Sequence, residues 1–143
     1  GEPRAARRLS RTVLAEFSAG RLKTNADLAR LCERIIGRRG PRHPATRVFL
    51  AIRAAVNDEM GVLRQVLDAA PRCLAVGGRL AVITFHSLED RAAKERFRAL
   101  AHEGENGRAF ALINKKPIVP SRGEQARNPR SRSAKLRVLE RVS

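Results

Sequence analysis

Aromatic residues and cysteines are scarce in this 143-residue chain, and each shortage excludes a class of site. The chain has five Phe, no Tyr and no Trp, which argues against a stacking platform for single-stranded nucleic acid, because such platforms present exposed aromatic rings to the bases. The two cysteines, Cys32 and Cys73, lie on apolar helical patterns with no second Cys or His at metal-ligand spacing. We therefore expect reduced thiols, no metal site and a cytoplasmic location.

Long apolar runs and cofactor-binding glycine motifs are also missing from the sequence. No run reaches the roughly 18 apolar residues that a membrane-spanning helix needs, and the opening Gly1-Glu2-Pro3-Arg4 does not resemble a signal peptide, so we expect a soluble, non-secreted protein. There is no GxGxxG loop, P-loop or HExxH motif. The absence of these motifs predicts that the chain does not bind a nucleotide-like cofactor on its own.

Acidic residues are outnumbered by basic ones. Fourteen Asp and Glu stand against thirty Lys and Arg, which gives a formal net charge of +16. This balance predicts a polyanionic partner, because the planar guanidinium of arginine holds phosphate oxygens in pairs. Charge alone leaves RNA, DNA and an anionic membrane surface open.

The hydrophobic pattern predicts a helical N-terminal part that is followed by an α/β part. Helices are expected over residues 5–18 and 25–36, and the segment from Thr24 to Asp27 is typical of a capping box. The basic, helix-breaking segment 38–42 marks the predicted subdomain boundary. A long helix then begins near residue 43.

The α/β part is expected to begin within this long helix, which we predict to be kinked or split near Gly61 and Pro71. A nearly continuous apolar run over residues 79–85 predicts a strand in the middle of a parallel sheet. Ser87 is expected to cap the next helix, which ends near residue 100, so that strand, helix and strand form a βαβ-like unit. Two further strands are expected over residues 109–113 and 134–139, with a polar loop over residues 115–133 between them.

Polar residues follow the apolar strand at the start of the next helix, and they form the first candidate site. In open α/β sheets this edge binds ligands. His86 can orient or deprotonate a substrate group near neutral pH, and the free amide groups from Ser87 to Glu89 can hold an anion. The structural alternative is that Ser87 is a plain helix cap and that Glu89 and Asp90 only favour the first helical turn.

Two basic clusters form the other candidate sites. Arg53 and Asn57 lie four residues apart and share a helix face, whereas Arg47 lies six residues before Arg53 and not on the same narrow stripe. Arg130 and Arg132 lie in a short loop that offers cations and hydroxyls to phosphates. Both clusters fit nucleic-acid contact and a merely solvated surface equally well.

Six motifs occur in an order that resembles one family. They are His43-Pro44-Ala45-Thr46-Arg47, Val56-Asn57-Asp58-Glu59, Gly77-Gly78-Arg79-Leu80, the run from Phe85 to Arg91, Lys115-Lys116-Pro117, and the run from Asn128 to Arg137. Together they resemble the S-adenosylmethionine-dependent 16S ribosomal RNA (cytosine-N4) methyltransferases, known as RsmH or MraW. The match covers residues 43–143.

The resemblance implies the C-terminal part of a Rossmann-like methyltransferase domain, an α/β fold, over residues 43–143. Residues 1–42 are then part of an α-helical insertion that recognises substrate. The strand over residues 79–85 becomes the fifth strand, and the last two strands become a terminal antiparallel hairpin. The implied activity is N4-methylation of a cytosine in the decoding centre of the small ribosomal subunit, in the cytoplasm and without a membrane partner.

The resemblance also implies which residues form the site. The substrate-side catalytic candidates are His86, Ser87, Glu89 and Asp90. The RNA-binding candidates are Arg47, Arg53, Asn57, Arg91, Arg130 and Arg132.

The chain departs from the family at its start, since the donor-binding glycine loop and the first four strands have no counterpart here. We therefore expect a fragment that is inactive alone, with most residues that bind S-adenosylmethionine in the missing N-terminal half. Its expected partners are 16S rRNA or the small subunit and either a complementing N-terminal half or a second copy of the chain. The alternative function is a non-catalytic, arginine-rich RNA-binding module.

Overall fold

The computed structural model describes residues 5–38, 40, 43–102 and 109–143. The chain divides into two compact units, Gly1–Glu59 and Met60–Ser143. The boundary expected at residues 42 and 43 falls partly outside the described residues, and the assignment of residues 1–42 to a substrate-recognition insertion stays a prediction. No helix in the described part of the chain is long and apolar enough to cross a membrane.

The first unit contains three helices, α1 (Ala6–Ser18), α2 (Asn25–Ile36) and α3 (Ala45–Val56). The predicted helices at residues 5–18 and 25–36 are confirmed. The capping box before α2 is also confirmed, because the Thr24 hydroxyl accepts from the Asp27 N–H while the Asp27 carboxylate accepts from the Thr24 N–H. The core of this unit forms around three buried residues, Leu9, Cys32 and Ala45.

The break between α3 and the next helix, α4 (Glu59–Ala69), lies elsewhere than expected. The helical pattern stops at Asn57 and Asp58, where Asp58 adopts a left-handed φ of 47°, and Gly61 lies inside α4. The predicted split near Gly61 is therefore observed three residues earlier, at Asp58, and Pro71 ends the helical run in a short 3₁₀ turn, Ala70–Cys73.

The second unit places a three-stranded sheet against a helix. Its elements are β1 (Arg79–Thr84), α5 (Ser87–His102), β2 (Phe110–Leu112), α6 (Arg122–Arg127) and β3 (Lys135–Arg141), with a 3₁₀ turn over Pro129–Ser133. The strand order is β1-β3-β2, and β3 is antiparallel to both neighbours. The expected hairpin of the last two strands is confirmed, and β1 and β2 run parallel to each other with β3 between them. The expected polar loop contains α6 and the 3₁₀ turn.

Alternation along the strands decides which sheet face α5 covers. Leu80 and Val82 of β1 and Leu139 of β3 point to one face, where they pack with Phe97 and Leu67 in the core of the unit. Ile83, the next residue after Val82, lies on the opposite face and is 59% exposed. Among the described strands, β1 has only β3 as a neighbour, so the expected position in the middle of a parallel sheet is not observed in this part of the chain.

Candidate functional site

The turn between β1 and α5 is closed by a histidine. The N–H of Asp90 donates to the His86 carbonyl (3.1 Å), the Glu89 N–H donates to His86 Nδ1 (3.4 Å), and the His86 N–H donates to the Glu89 carboxylate (3.2 Å). This reciprocal pair is a capping box with His86 as the capping residue. The predicted cap at Ser87 is therefore wrong; Ser87 is the first helical residue and its side chain is exposed.

Glu89 rigidifies the same turn with its other contacts. Its carboxylate accepts from the Phe85 N–H (2.8 Å) and lies 2.9 Å from Nε2 of His86. Because Nδ1 accepts a hydrogen bond, the ring proton of neutral His86 lies on Nε2, toward Glu89. The amide groups of Phe85 and His86 are therefore occupied by a side chain of the protein itself, and the His86 ring, 44% exposed, has a fixed orientation.

Asp90 is an anchor between α5 and the sheet. Its carboxylate accepts from Nε of Arg137 (2.7 Å) and from Nζ of Lys135 (3.1 Å), both on β3. The hydrogen bond from Arg137 holds the pKa of Asp90 below its usual range, against the opposing effect of burial. Asp90 is therefore an anion that fixes the start of α5 and carries no proton to donate at neutral pH.

Arg91 lies on the exposed side of α5 beside an open groove of about 550 Å³ between α4 and α5. The groove has an apolar floor that includes Leu67 and Ala92. On its wall, Nε of Arg96 lies 2.6 Å from the Asp68 carboxylate. The groove is thus a mixed-charge surface next to the β1–α5 turn.

The predicted RNA contacts divide between the two units. Arg47 and Asn57 are exposed at α3, and Arg53 donates to the Glu59 carboxylate from Nε and Nη2 (2.7 and 3.2 Å). Asn57 caps the end of α3 with its N–H on the Arg53 carbonyl. The structure therefore brings Arg53 and Asn57 together at the end of α3, whereas Arg47 lies near the start of that helix.

In the second unit, Arg130 and Arg132 are exposed in the 3₁₀ turn before β3. Ser131 between them is buried and donates to the Asn128 carbonyl (2.8 Å). This contact fixes the turn that displays the two arginines to solvent.

Two residues that hold Asp90 were not predicted as part of the site, Lys135 and Arg137. The available signal was their register, because alternation along β3 puts both on the same face as the buried Leu139. A cation at a core-facing position needs a carboxylate partner, and the start of α5 supplies one.

The described residues do not fit a methyl-donor site by themselves. Gly77 and Gly78 precede β1 rather than following it, and the first amide groups after β1 are taken by Glu89. Such a donor is usually cradled by a glycine loop and free amide groups between a strand and a helix. Among the described residues there is also no cluster of His, Cys, Asp and Glu that could hold a metal ion.

Comparisons with known proteins identify relatives over the whole chain. Residues 1–142 match the MraW methylase family model. The chain is 46% identical to the ribosomal RNA small subunit methyltransferase H of Methylobacterium nodulans over 99% of this chain and 46% of that protein, and 46% identical to that of Roseobacter denitrificans over 99% and 47%. The protein of the same description from Solibacter usitatus is 46% identical over 98% and 46%. The chain spans about half the length of these relatives, and it belongs to the MraW methylase family.

Proposed function

We propose that this chain is the C-terminal part of an S-adenosylmethionine-dependent methyltransferase that methylates N4 of a cytosine in the decoding centre of 16S rRNA. The observation that carries the proposal is the family match over residues 1–142 by a chain that spans about half of its relatives. The relatives' description as ribosomal RNA small subunit methyltransferases supports an rRNA substrate. In the proposed whole enzyme, the small sheet continues into a Rossmann-like domain, and the donor lies against the half that is not in this chain.

The rigid β1–α5 turn supports a substrate-side role for this chain. The lone pair of a cytosine amine is delocalised into the ring, so the enzyme must hold the base with that nitrogen aimed at the methyl group, and positioning supplies much of the rate. We assign base contact to the exposed His86 ring and the Ser87 hydroxyl. Glu89 and Asp90 then act as positioning residues, since their carboxylates fix His86 and the start of α5.

Exposed arginines support the second part of the proposal, which is RNA binding. Arg91 lies five residues beyond His86 on α5, close enough to contact a nucleotide that flanks the target base. Arg47, Arg53 and Asn57 in the first unit and Arg130 and Arg132 before β3 are assigned to backbone phosphates, which fix the position of RNA without reading its sequence. Such a substrate places the enzyme in the cytoplasm.

Complementation tests this function. The chain is incubated with labelled S-adenosylmethionine and small-subunit rRNA, alone and with a separately expressed segment of the Methylobacterium nodulans relative that this chain does not match. We expect methyl transfer only in the mixture, and donor binding by calorimetry only there.

Variants sharpen the test in the mixture. His86→Gln and Ser87→Ala are expected to lower the transfer rate at least tenfold, whereas Gln65→Ala on the exposed side of α4 leaves it unchanged. If no mixture transfers a methyl group while the chain retains salt-sensitive RNA binding, the non-catalytic RNA-binding module replaces the enzyme as the function.

A further inference from the structure

A shallow basic depression lies between α5 and the segment that follows β2. It is lined by Lys94, Phe97, Arg98, Leu112, Asn114, Lys115 and Arg137. Every charged residue in this lining is a cation. The Arg137 guanidinium is already held by the Asp90 carboxylate at 2.7 Å, which leaves Lys94, Arg98 and Lys115. We call these three residues the basic triad.

The three cations are brought together by two fixed elements. Lys94 and Arg98 lie four residues apart on α5 and therefore share a helix face, an arrangement that destabilises a helix when both charges have the same sign. Lys115 follows Asn114, whose side chain donates to the Leu136 carbonyl (3.0 Å) and accepts from the Val138 N–H (2.7 Å). The backbone beside Lys115 is therefore fixed to β3. The folded state thus holds the positive charges of the triad near one another, and they repel.

Some other cations in this unit are paired with carboxylates. Arg79 lies 2.6 Å from the Glu140 carboxylate, and Arg96 lies 2.6 Å from that of Asp68. No ion pair that the structure gives among residues 5–38, 40, 43–102 and 109–143 includes a member of the triad. Three converging cations without a carboxylate in their lining form a local positive potential that an anionic ligand stabilises.

We propose that Lys94, Arg98 and Lys115 bind a backbone phosphate of the RNA substrate. This inference rests on the proposed function, because it takes RNA as the substrate, and it gives Lys115 of the Lys115-Lys116-Pro117 motif a role. Arg98 is twelve residues beyond His86, about 18 Å along a helical axis. The triad therefore anchors RNA at a point separate from the β1–α5 turn, where the base is held.

The test measures binding of a short fluorescent RNA to the full chain over a range of salt concentrations. The triad variant, Lys94→Gln/Arg98→Gln/Lys115→Gln, is compared with a variant of equal charge change, Arg11→Gln/Lys23→Gln/Arg72→Gln, whose residues are exposed elsewhere. Loss of one phosphate contact is expected to reduce the slope of log affinity against log salt by about 0.7 in the triad variant. The control variant is expected to keep the slope of the unaltered chain. Equal slopes in both variants, or no salt-dependent binding by the unaltered chain, overturn the inference.

Two further measurements separate the alternatives. Thermal unfolding of the triad variant is expected at the same or a higher temperature than in the unaltered chain, because a repulsive pair is removed. A fall in unfolding temperature larger than in the control variant assigns the triad a structural role and overturns the proposal.

Inorganic phosphate is expected to compete with RNA in the unaltered chain only weakly. If phosphate binds at the triad while the RNA slope is the same in all variants, the site serves a free anion and not RNA. Methyl transfer in the mixture with the complementing segment is measured in a separate assay. If RNA binding depends on the triad but no methyl group is transferred, the proposed function fails while the inference about the triad stands.

Discussion

Asp90 shows how much a single buried charge contributes to the second unit. Its side chain is 13% exposed and that of Arg137 is 8% exposed, so Asp90→Asn leaves a guanidinium buried without a counter-charge. We expect the free energy of unfolding to fall by about 3 kcal/mol. Asp68→Asn breaks an ion pair whose side chains are 56% and 28% exposed, and it should cost less than about 1 kcal/mol. Urea denaturation compares the two, and equal losses would contradict the role of burial.

Asp27 predicts an acid-dependent loss of stability in the first unit. The Thr24 hydroxyl, followed by the backbone N–H groups of Lys23 and Thr24, lowers the pKa of Asp27 from 3.8 to about 2. A carboxyl group whose pKa is lower in the folded state stabilises the protein above its unfolded pKa, and this contribution disappears as the pH falls through the folded pKa. In Asp27→Asn, the free energy of unfolding should therefore change less with pH between about pH 4 and pH 2 than it does in the unaltered chain. Parallel profiles from thermal unfolding for the variant and the unaltered chain would refute this assignment.

The capping of α5 shows why residue types alone did not settle the candidate site. Two overlapping capping boxes are available to the sequence, Ser87 with Asp90 and His86 with Glu89, and both have the correct spacing. The choice is made by β3, because Lys135 and Arg137 take the Asp90 carboxylate and leave Glu89 to close the turn. Those cations lie more than forty residues away along the chain, so no local pattern contains the answer.

At the scale of elements, the turn that enters β1 requires glycine for a steric reason. A Cβ atom at Gly78 would lie 2.8 Å from the Ala75 carbonyl oxygen, and both are backbone positions that the turn fixes. Gly78→Ala is therefore expected to destabilise the second unit by about 1–3 kcal/mol. In Gly123→Ala, the added methyl group meets nothing closer than 3.9 Å, and the change should stabilise α6 by up to about 1 kcal/mol. Chemical denaturation measures both, and a Gly78→Ala variant as stable as the unaltered chain would sink the steric argument.

Helix and strand positions were largely predictable because they follow from hydrophobic periodicity within short windows. The capped helix α2 and the apolar strand β1 lie where the pattern puts them. The break between α3 and α4 was misplaced because glycine inside a helix costs only about 1 kcal/mol, so packing tolerates Gly61. Asn57 and Asp58 form the break instead, since short polar side chains tolerate turn and left-handed conformations.

At the scale of the whole molecule, β1 combines an unpaired edge among the described strands with an exposed apolar side chain at Ile83. Such an edge is a template for association between chains. Ile83→Lys is expected to reduce concentration-dependent light scattering while changing stability by less than about 0.5 kcal/mol. Val62→Lys provides the matched control, because Val62 is 53% exposed on helix α4 and not on a strand edge. An equal reduction in both variants would show that added charge, not the strand edge, is responsible.

Strand order was the part of the fold that the sequence could not provide. Each strand segment is visible as a short apolar pattern, but nothing in Phe110–Leu112 or Lys135–Arg141 indicates which of them pairs with β1. The order β1-β3-β2 depends on contacts between distant residues, such as the pairing of Arg79 with Glu140. Pairing of this kind is a property of the assembled unit.

The central position of β3 has a consequence for how the chain matures on the ribosome. The strand that joins the other two is the last of the three along the chain, and Arg79 pairs with a residue 61 positions later. Until Lys135–Arg141 has left the exit tunnel, β1 and β2 have no described strand to pair with, and the apolar face of α5 has only part of its partner surface. Sheets closed by such distant contacts form slowly, and their intermediates expose hydrophobic surface. Nascent chains of this protein therefore expose apolar surface of α5 until Lys135–Arg141 is available for pairing.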